Sequence, residues 1–112
     1  MKDKLQQVLA GLEALKLKDI KVYDFRGFSP FFDYQVIASA SSERQVHASI
    51  HHIRQALPGE VIQHLEGQAG NRWLLFDLGD ILIHVLHRDE REYYQFEKLF
   101  IGREAEPLHQ EP

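Results

Sequence analysis

Asp77, Asp80 and His84 lie in one short segment and have the side chains that acid–base or metal chemistry requires. Two carboxylates separated by two residues are compatible with a divalent-cation site or with an acid–base pair. If this segment is a strand followed by a tight turn, however, alternation assigns Asp77 to a strand face and Asp80 to the turn, so the carboxylates need not converge. We therefore predict that Asp80 shapes a hairpin turn and that Asp77 lies at the surface or at an interface.

The histidines have a second, simpler interpretation. His84 lies within an apolar run, where a histidine is more often a hydrogen-bonded structural residue than a catalytic base. His47 and His51 have the i, i+4 spacing at which two imidazoles of one helix share a metal ion. No glutamate follows His47 as in a zinc protease, and Val46 and Ile50 turn both histidines away from the core. We predict a solvated helix face, with no metal and no cofactor.

Composition excludes several classes of protein. The 112 residues contain no cysteine, which removes disulfides, thiolate metal sites and cysteine nucleophiles. The 13 basic and 17 acidic residues give a net charge of -4, which opposes direct phosphate-backbone binding and favours a basic protein partner. We find no nucleic-acid-binding motif, phosphate loop or serine nucleophile elbow. No apolar run approaches the roughly 20 residues of a membrane helix, and a signal peptide is not recognisable, so we expect a cytoplasmic protein.

Hydrophobic periodicity divides the chain into three helices and five strands. Their order is helix, strand, strand, helix, strand, strand, strand, helix, which a mixed sheet packed with helices satisfies. We predict a single α+β domain with a mixed five-stranded sheet flanked by helices over residues 1–101, and a flexible tail over residues 102–112. The predicted strands cover residues 20–25, 32–40, 61–65, 73–78 and 81–86, and a loop covers residues 66–71.

The three helices are predicted from apolar stripes and from end signals. The first covers residues 5–15, and the last covers residues 88–101. Ser42 followed by Gln45 is typical of a capping box that opens the second helix, and Pro58-Gly59 ends it. The predicted apolar side of the last helix consists of Tyr93, Phe96, Leu99 and Phe100.

The last two strands are predicted to form a hairpin with a tight turn at residues 79–80. In the expected register Phe76 faces Ile83 and Leu74 faces Val85, so this wholly apolar face belongs to the core. A mixed set of side chains, unusual for a solvated surface, occupies the opposite face. Its members are Trp73, Leu75, Asp77, Leu82, His84 and Leu86. Trp73 is either core or a partly exposed interface anchor, and its position on the mixed face favours the anchor.

Three separate segments of the chain share a pattern with a known family. They are Glu66-Gly67 with Trp73-x-x-x-Asp77-x-Gly79-Asp80-x-x-x-His84-Val85, Asp33-x-x-Val36-Ile37-x-Ser39-x-Ser41-Ser42-x-Arg44-Gln45-Val46, and Arg91-x-x-Tyr94-x-x-Glu97-x-Leu99. In this order they resemble the Iojap family, the ribosomal silencing factors. The resemblance runs from about Leu5 to Phe100, and its specificity comes from the combination of segments. The family's residues differ at three places, where this chain has Ala40, Phe96 and Phe100.

The resemblance implies a mixed sheet flanked by helices, with a topology distantly like that of nucleotidyltransferases. The Gly-Ser and Asp-x-Asp arrangement that such catalysis requires is missing from this chain, so the likeness implies no enzymatic activity. It implies instead binding to the large ribosomal subunit through large-subunit protein fourteen, which blocks joining of the small subunit, and a homodimer when the protein is free. The expected partner-binding residues are Trp73, Leu75, Asp77, Asp80, His84 and Glu66.

Two other hypotheses remain open at this point. The chain could be a nucleotidyltransferase-like or metal-dependent enzyme that uses Asp77, Asp80 and His84. It could also be a purely self-associating structural protein.

Overall fold

A computed structural model describes residues 3–68 and 72–105 of the chain. Three α-helices, a short 3₁₀ helix and six strands account for most of these residues. In chain order they are α1 (Lys4–Ala14), β1 (Lys18–Asp24), β2 (Tyr34–Ala40), α2 (Glu43–Ala56), β3 (His64–Gln68), β4 (Trp73–Asp77), β5 (Ile81–His87), α3 (Arg88–Tyr94), the 3₁₀ helix (Phe96–Phe100) and β6 (Glu104–Ala105).

The strands form one mixed sheet in the order β3-β4-β5-β2-β1-β6. Only β2 and β5 are parallel among the strand pairs of the described residues, and the other neighbours are antiparallel. The predicted mixed sheet flanked by helices is confirmed, with six strands instead of five. The additional strand arises because Ala105 pairs with Val22 and Glu104 with Tyr23. This strand lies within the tail predicted for residues 102–112. Residues 106–112 of that tail lie outside the described residues.

The hairpin of β4 and β5 has the predicted register. Phe76 pairs with Ile83 and Leu74 with Val85, and all four side chains are buried. Gly79 has a φ of +94° at the turn, a conformation that favours glycine. Helices α1 and α2 pack on this face of the sheet and complete the main core. We call the opposite side of the sheet the second face.

Local signals position both long helices. The carboxylate of Asp3 accepts a hydrogen bond from the Gln6 amide at 2.8 Å, which caps α1. The Ser42 hydroxyl accepts one from the Gln45 amide at 3.1 Å, as the predicted capping box requires. The Gln45 side chain returns to the amide of Ser41 instead of that of Ser42, at 2.7 Å. Within the described residues, no helix combines the length and the apolar character needed to span a membrane.

The predicted strand at residues 61–65 was wrong by three residues, since β3 covers His64–Gln68. Val61 is 70% exposed, and Glu66 and Gly67 belong to the strand instead of a loop. The cause is the pairing with β4, in which Glu66 lies opposite Leu75. Hydrogen bonds to a neighbouring strand set this register, and the local apolar pattern cannot predict them. Residues 69–71 of the predicted loop lie outside the described residues.

The predicted helix over residues 88–101 was also wrong in its second half. Gln95 has a φ of +49°, which ends α3 and starts the 3₁₀ helix. Leu99, beyond this break, is 83% exposed, and Tyr93, within α3, is 79% exposed, although both were assigned to the buried side. Phe100 does pack against the second face of the sheet. The side chain of Phe96 lies outside the described part of the structure.

Candidate partner-binding face

Five of the six predicted partner-binding residues lie together on the second face. Glu66, Leu75 and His84 are direct cross-strand partners on β3, β4 and β5, because Glu66 pairs with Leu75 and Leu75 pairs with His84. Trp73 and Asp77 lie two residues to either side of Leu75 on β4, and alternation places them on the same face. The sheet therefore assembles these side chains from three strands.

Part of the second face is covered by α3 and the 3₁₀ helix, and part is not. The covered part is an apolar cluster of Tyr23, Phe25, Ile37 and Leu86, against which Phe32, Trp73 and Phe100 pack. Exposed or half-buried side chains occupy the uncovered part, which we call the open face. It consists of Glu66, Trp73, Leu75, Asp77 and Leu82.

Arg91 fixes α3 across the covered part. Its side chain is buried and donates to the backbone oxygen of Asp19 at 2.6 Å, to the Ser39 hydroxyl at 2.9 Å and to the Glu97 carboxylate at 2.9 Å. An arginine thus faces the sheet where the apolar pattern predicted Tyr93. This polar network, which hydrophobic periodicity does not reveal, turns Tyr93 toward the outside.

His84 is hydrogen-bonded at both ring nitrogens and only 7% exposed. Its Nδ1 accepts from the indole Nε1 of Trp73 at 3.2 Å, and its Nε2 lies 2.8 Å from the side-chain oxygen of Gln35. Because an indole N–H can only donate, Nδ1 carries no hydrogen and Nε2–H donates to Gln35. Burial lowers the pKa of His84 to about 4, which keeps the imidazole neutral. These contacts confirm the predicted structural role of this histidine.

Trp73 lies between the apolar cluster and the surface. It is half-buried, and its ring centroid is 6.0 Å from that of His84 and 5.5 Å from that of Tyr94. The Tyr94 ring in turn contacts Tyr93 at 5.0 Å, and both tyrosines are exposed. The structure thus gives Trp73 both a packed edge and an accessible one, next to two further aromatic side chains.

Asp77 and Asp80 have separate partners. The carboxylate of Asp77 accepts a hydrogen bond from the Gly79 amide at 2.8 Å, so Asp77 shapes the hairpin turn. The carboxylate of Asp80 binds Lys4 Nζ at 2.6 Å and connects the start of α1 to this turn. We predicted that Asp80 shapes the turn, but the side chain that does so is that of Asp77. Asp80 is the one predicted partner-binding residue that does not lie on the second face.

The remaining charged groups give the open face an acidic character. The Glu66 carboxylate lies 2.9 Å from Nε2 of His64, its neighbour along the edge strand, and both side chains are exposed. Asp77 adds a second carboxylate on β4. His47 and His51 lie away from this face, exposed on α2 as predicted. Among the described residues, no three or more histidine, aspartate or glutamate side chains are grouped as a metal ion requires.

Sequence reasoning missed several exposed apolar side chains. Tyr93, Tyr94, Leu99 and Ile101 project from α3, the 3₁₀ helix and the residue that follows it, and Phe28 and Phe31 project from the loop between β1 and β2. The helical periodicity assigned two of them to the core. The one signal that pointed to Tyr94 was its place in the segment resembling the Iojap family.

Comparison with known proteins connects this arrangement to one family. A family model described as "Ribosomal silencing factor during starvation" matches residues 1–112. The protein named "Ribosomal silencing factor RsfS" of Halalkalibacterium halodurans is 37% identical over 98 residues, which cover 86% of this chain and 84% of that protein. The Bacillus subtilis protein of the same name is also 37% identical over 98 residues, which cover 86% of this chain and 83% of that protein.

Solved structures and a more distant relative agree with this result. A crystal structure from Bacillus halodurans has a TM-score of 0.78 at 35% identity and covers 92% of this chain and 96% of its own. One from Chromobacterium violaceum has a TM-score of 0.80 at 29% identity, with 100% and 95% covered. A mouse protein named "Mitochondrial assembly of ribosomal large subunit protein 1" is 28% identical over 104 residues, which cover 88% of this chain but 46% of that protein. The chain belongs to the ribosomal silencing factor family.

Proposed function

We propose that this protein binds the large ribosomal subunit in the cytoplasm through large-subunit protein fourteen and blocks joining of the small subunit, which represses translation. The names of the bacterial relatives support a silencing role, and the name of the mouse relative connects this domain to the large subunit. Protein fourteen as the direct contact follows from the resemblance to the Iojap family.

The observation that carries the proposal is the open face. A half-buried tryptophan and leucine, Trp73 and Leu75, lie on an accessible sheet surface beside the exposed rings of Tyr93 and Tyr94. Contiguous exposed apolar surface marks interaction sites, and tryptophan and tyrosine dominate the binding energy of protein interfaces. The carboxylates of Glu66 and Asp77 are on the same face and suit a basic partner.

The charge of the whole chain supports the same partner. The net charge of -4 attracts a basic ribosomal protein at long range and raises the rate of encounter. It repels the phosphate backbone of ribosomal RNA, so the recognised surface is a protein surface. Electrostatic steering of this kind weakens as salt is added.

The size of the protein is sufficient to explain how it would block subunit joining. The described part of the chain measures 33 × 31 × 29 Å. A rigid body of these dimensions, attached to the joining surface of one subunit, keeps the other subunit from making its contacts. No chemical step is needed for this effect.

The contacts of the three residues of the enzymatic hypothesis support a role without catalysis. The carboxylate of Asp77 accepts a hydrogen bond within the turn, and that of Asp80 binds Lys4. Both ring nitrogens of His84 are hydrogen-bonded to neighbouring side chains. Groups held in this way by the protein itself are less available for proton transfer to a substrate.

Self-association is the second part of the proposal: the free protein forms a homodimer. The side chains of Leu99, Ile101, Phe28 and Phe31 support it, because each is large, apolar and mostly exposed, and exposed apolar groups favour association. Sedimentation velocity over a concentration series measures the dimer. A monomer at all concentrations would contradict this part and leave ribosome binding untouched.

Sedimentation with isolated large and small subunits tests the main proposal. We expect the protein to move with the large subunit, and to lower the fraction of joined ribosomes when both subunits are mixed. A folded preparation that shows no large-subunit binding would overturn the proposal. Calorimetric titration with nucleotides and divalent cations tests the rival, since saturable heat would favour an enzyme.

A further inference from the structure

Three buried or half-buried side chains from three strands form a hydrogen-bonded row below the open face. Gln35 lies on β2, His84 on β5 and Trp73 on β4. The Gln35 side-chain oxygen is 2.8 Å from Nε2 of His84, and Nδ1 of His84 is 3.2 Å from Nε1 of Trp73. Gln35 and His84 are each 7% exposed, so bulk water does not compete for these bonds.

The hydrogen bonds of this row can run in one direction only, from Trp73 through His84 to Gln35. Because the indole of Trp73 can only donate, the neutral imidazole of His84 must accept at Nδ1 and donate at Nε2, which leaves the oxygen of Gln35 as the acceptor. Neither the opposite tautomer of His84 nor its protonated form satisfies all three groups. The positions of Gln35 and His84 therefore specify one orientation of the indole.

The orientation matters because Trp73 also forms part of the surface. Its ring is held between His84 on the inner side and Tyr94 on the outer side, at centroid distances of 6.0 and 5.5 Å. A rotated indole would lose the bond to His84 and leave a polar N–H without its acceptor below the surface. A side chain that is fixed before binding loses less conformational entropy when the partner arrives.

We propose that His84 and Gln35 are positioning residues that hold the Trp73 indole ready for the partner of the open face. This inference rests on the proposed function, because it assigns the bound partner to the large ribosomal subunit. His84 itself needs no contact with the partner. It acts through Trp73.

The first test is spectroscopic and needs no ribosome. Trp73 is the chain's one tryptophan, so its indole N–H gives a single cross-peak in a ¹H–¹⁵N spectrum of the labelled full chain. We expect His84→Leu to shift this peak and to speed its exchange with water. His84→Asn should preserve most of the signal, because the amide oxygen of asparagine lies near the position of Nδ1 and can accept the same bond. An unchanged peak in His84→Leu would overturn the proposal.

The second test is a double-mutant cycle with binding to isolated large subunits. We expect His84→Leu to lower the affinity about tenfold, and His84→Asn to recover most of it. Phenylalanine has no N–H, so adding His84→Leu to Trp73→Phe should cause no further loss. An equal loss in both backgrounds would mean that His84 acts on general stability, and would overturn the positioning role.

Controls separate the possible failures. His51→Ala, exposed on α2, should leave both the peak and the affinity unchanged. If His84→Leu does not fold, Gln35→Leu is the second variant. It removes the acceptor of the Nε2–H of His84 and so withdraws the support for the Trp73 bond, and we expect a smaller shift of the same peak. An unchanged peak in Gln35→Leu would overturn the role of Gln35. Absence of binding by the unmodified protein contradicts the proposed function. Normal binding by Trp73→Ala contradicts the inference and the assignment of Trp73 to the interface, but leaves large-subunit binding itself intact.

Discussion

The guanidinium of Arg91 donates to the hydroxyl of Ser39 at 2.9 Å, and this bond joins α3 to the middle of the sheet. The same group also binds the backbone of Asp19 and the carboxylate of Glu97. One buried cation therefore determines which side of α3 faces the sheet, and consequently which aromatic side chains reach the open face.

Replacement of Arg91 by alanine should destabilise the fold. The change leaves the largely buried carboxylate of Glu97 and the oxygen of Asp19 without their donor, which costs about 3 kcal/mol. Chemical unfolding measures the loss. Arg88→Ala, exposed on the same helix, is the matched control and should change the free energy of unfolding very little. Equal stability of the two variants would contradict the anchoring role of Arg91.

Trp73→Ala should weaken binding to the large subunit. Removal of a central aromatic anchor commonly costs on the order of 2 kcal/mol, which is about thirtyfold in affinity. The fold should persist, because the main core lies on the opposite face of the sheet. Binding is measured by co-sedimentation and folding by circular dichroism. An unfolded variant would show that Trp73 is a core residue, and the interface assignment would then be wrong.

Asp77→Asn and Asp77→Lys separate charge from structure at the hairpin. Asparagine can still accept the hydrogen bond from Gly79, so this variant should fold normally and associate more slowly with the basic partner. Lysine should slow association further and reverse its dependence on salt, because it presents a like charge. Stopped-flow association at several salt concentrations measures both effects. Identical rates for all three proteins would place Asp77 outside the contact.

The buried imidazole of His84 should make stability depend on pH. Burial lowers the pKa of His84 from 6.5 to about 4. Between these values the unfolded chain takes up a proton that the folded chain does not, so the free energy of unfolding falls as the pH is lowered. The full contribution is about 3 kcal/mol, and it is present above pH 6.5 and lost by about pH 4.

Unfolding by denaturant across this pH window measures the effect. Other groups also titrate here, so the useful quantity is the difference between the natural protein and His84→Asn. The variant should lose less stability on acidification, because it has no imidazole to protonate. Parallel pH profiles for the two proteins would show that His84 does not carry this dependence.

Several elements could be predicted from the sequence because their causes are local. The hairpin register follows from alternation and from the turn at Gly79, and Phe76 does face Ile83. The start of α2 follows from the Ser42 side chain, which caps it. The family followed from separate segments in the right order, and the family model confirms it over residues 1–112.

Other features depend on contacts between distant parts of the chain. The register of β3 is set by its pairing with β4. Helix α3 ends at Gln95, and its Arg91 side chain bonds to Ser39, 52 positions earlier in the chain. The bond from Trp73 to His84 exists because two strands place a donor next to an acceptor. Amino-acid periodicity records which side chains prefer to be buried. It does not record which buried polar group will find its partner, and only the tertiary structure decides that.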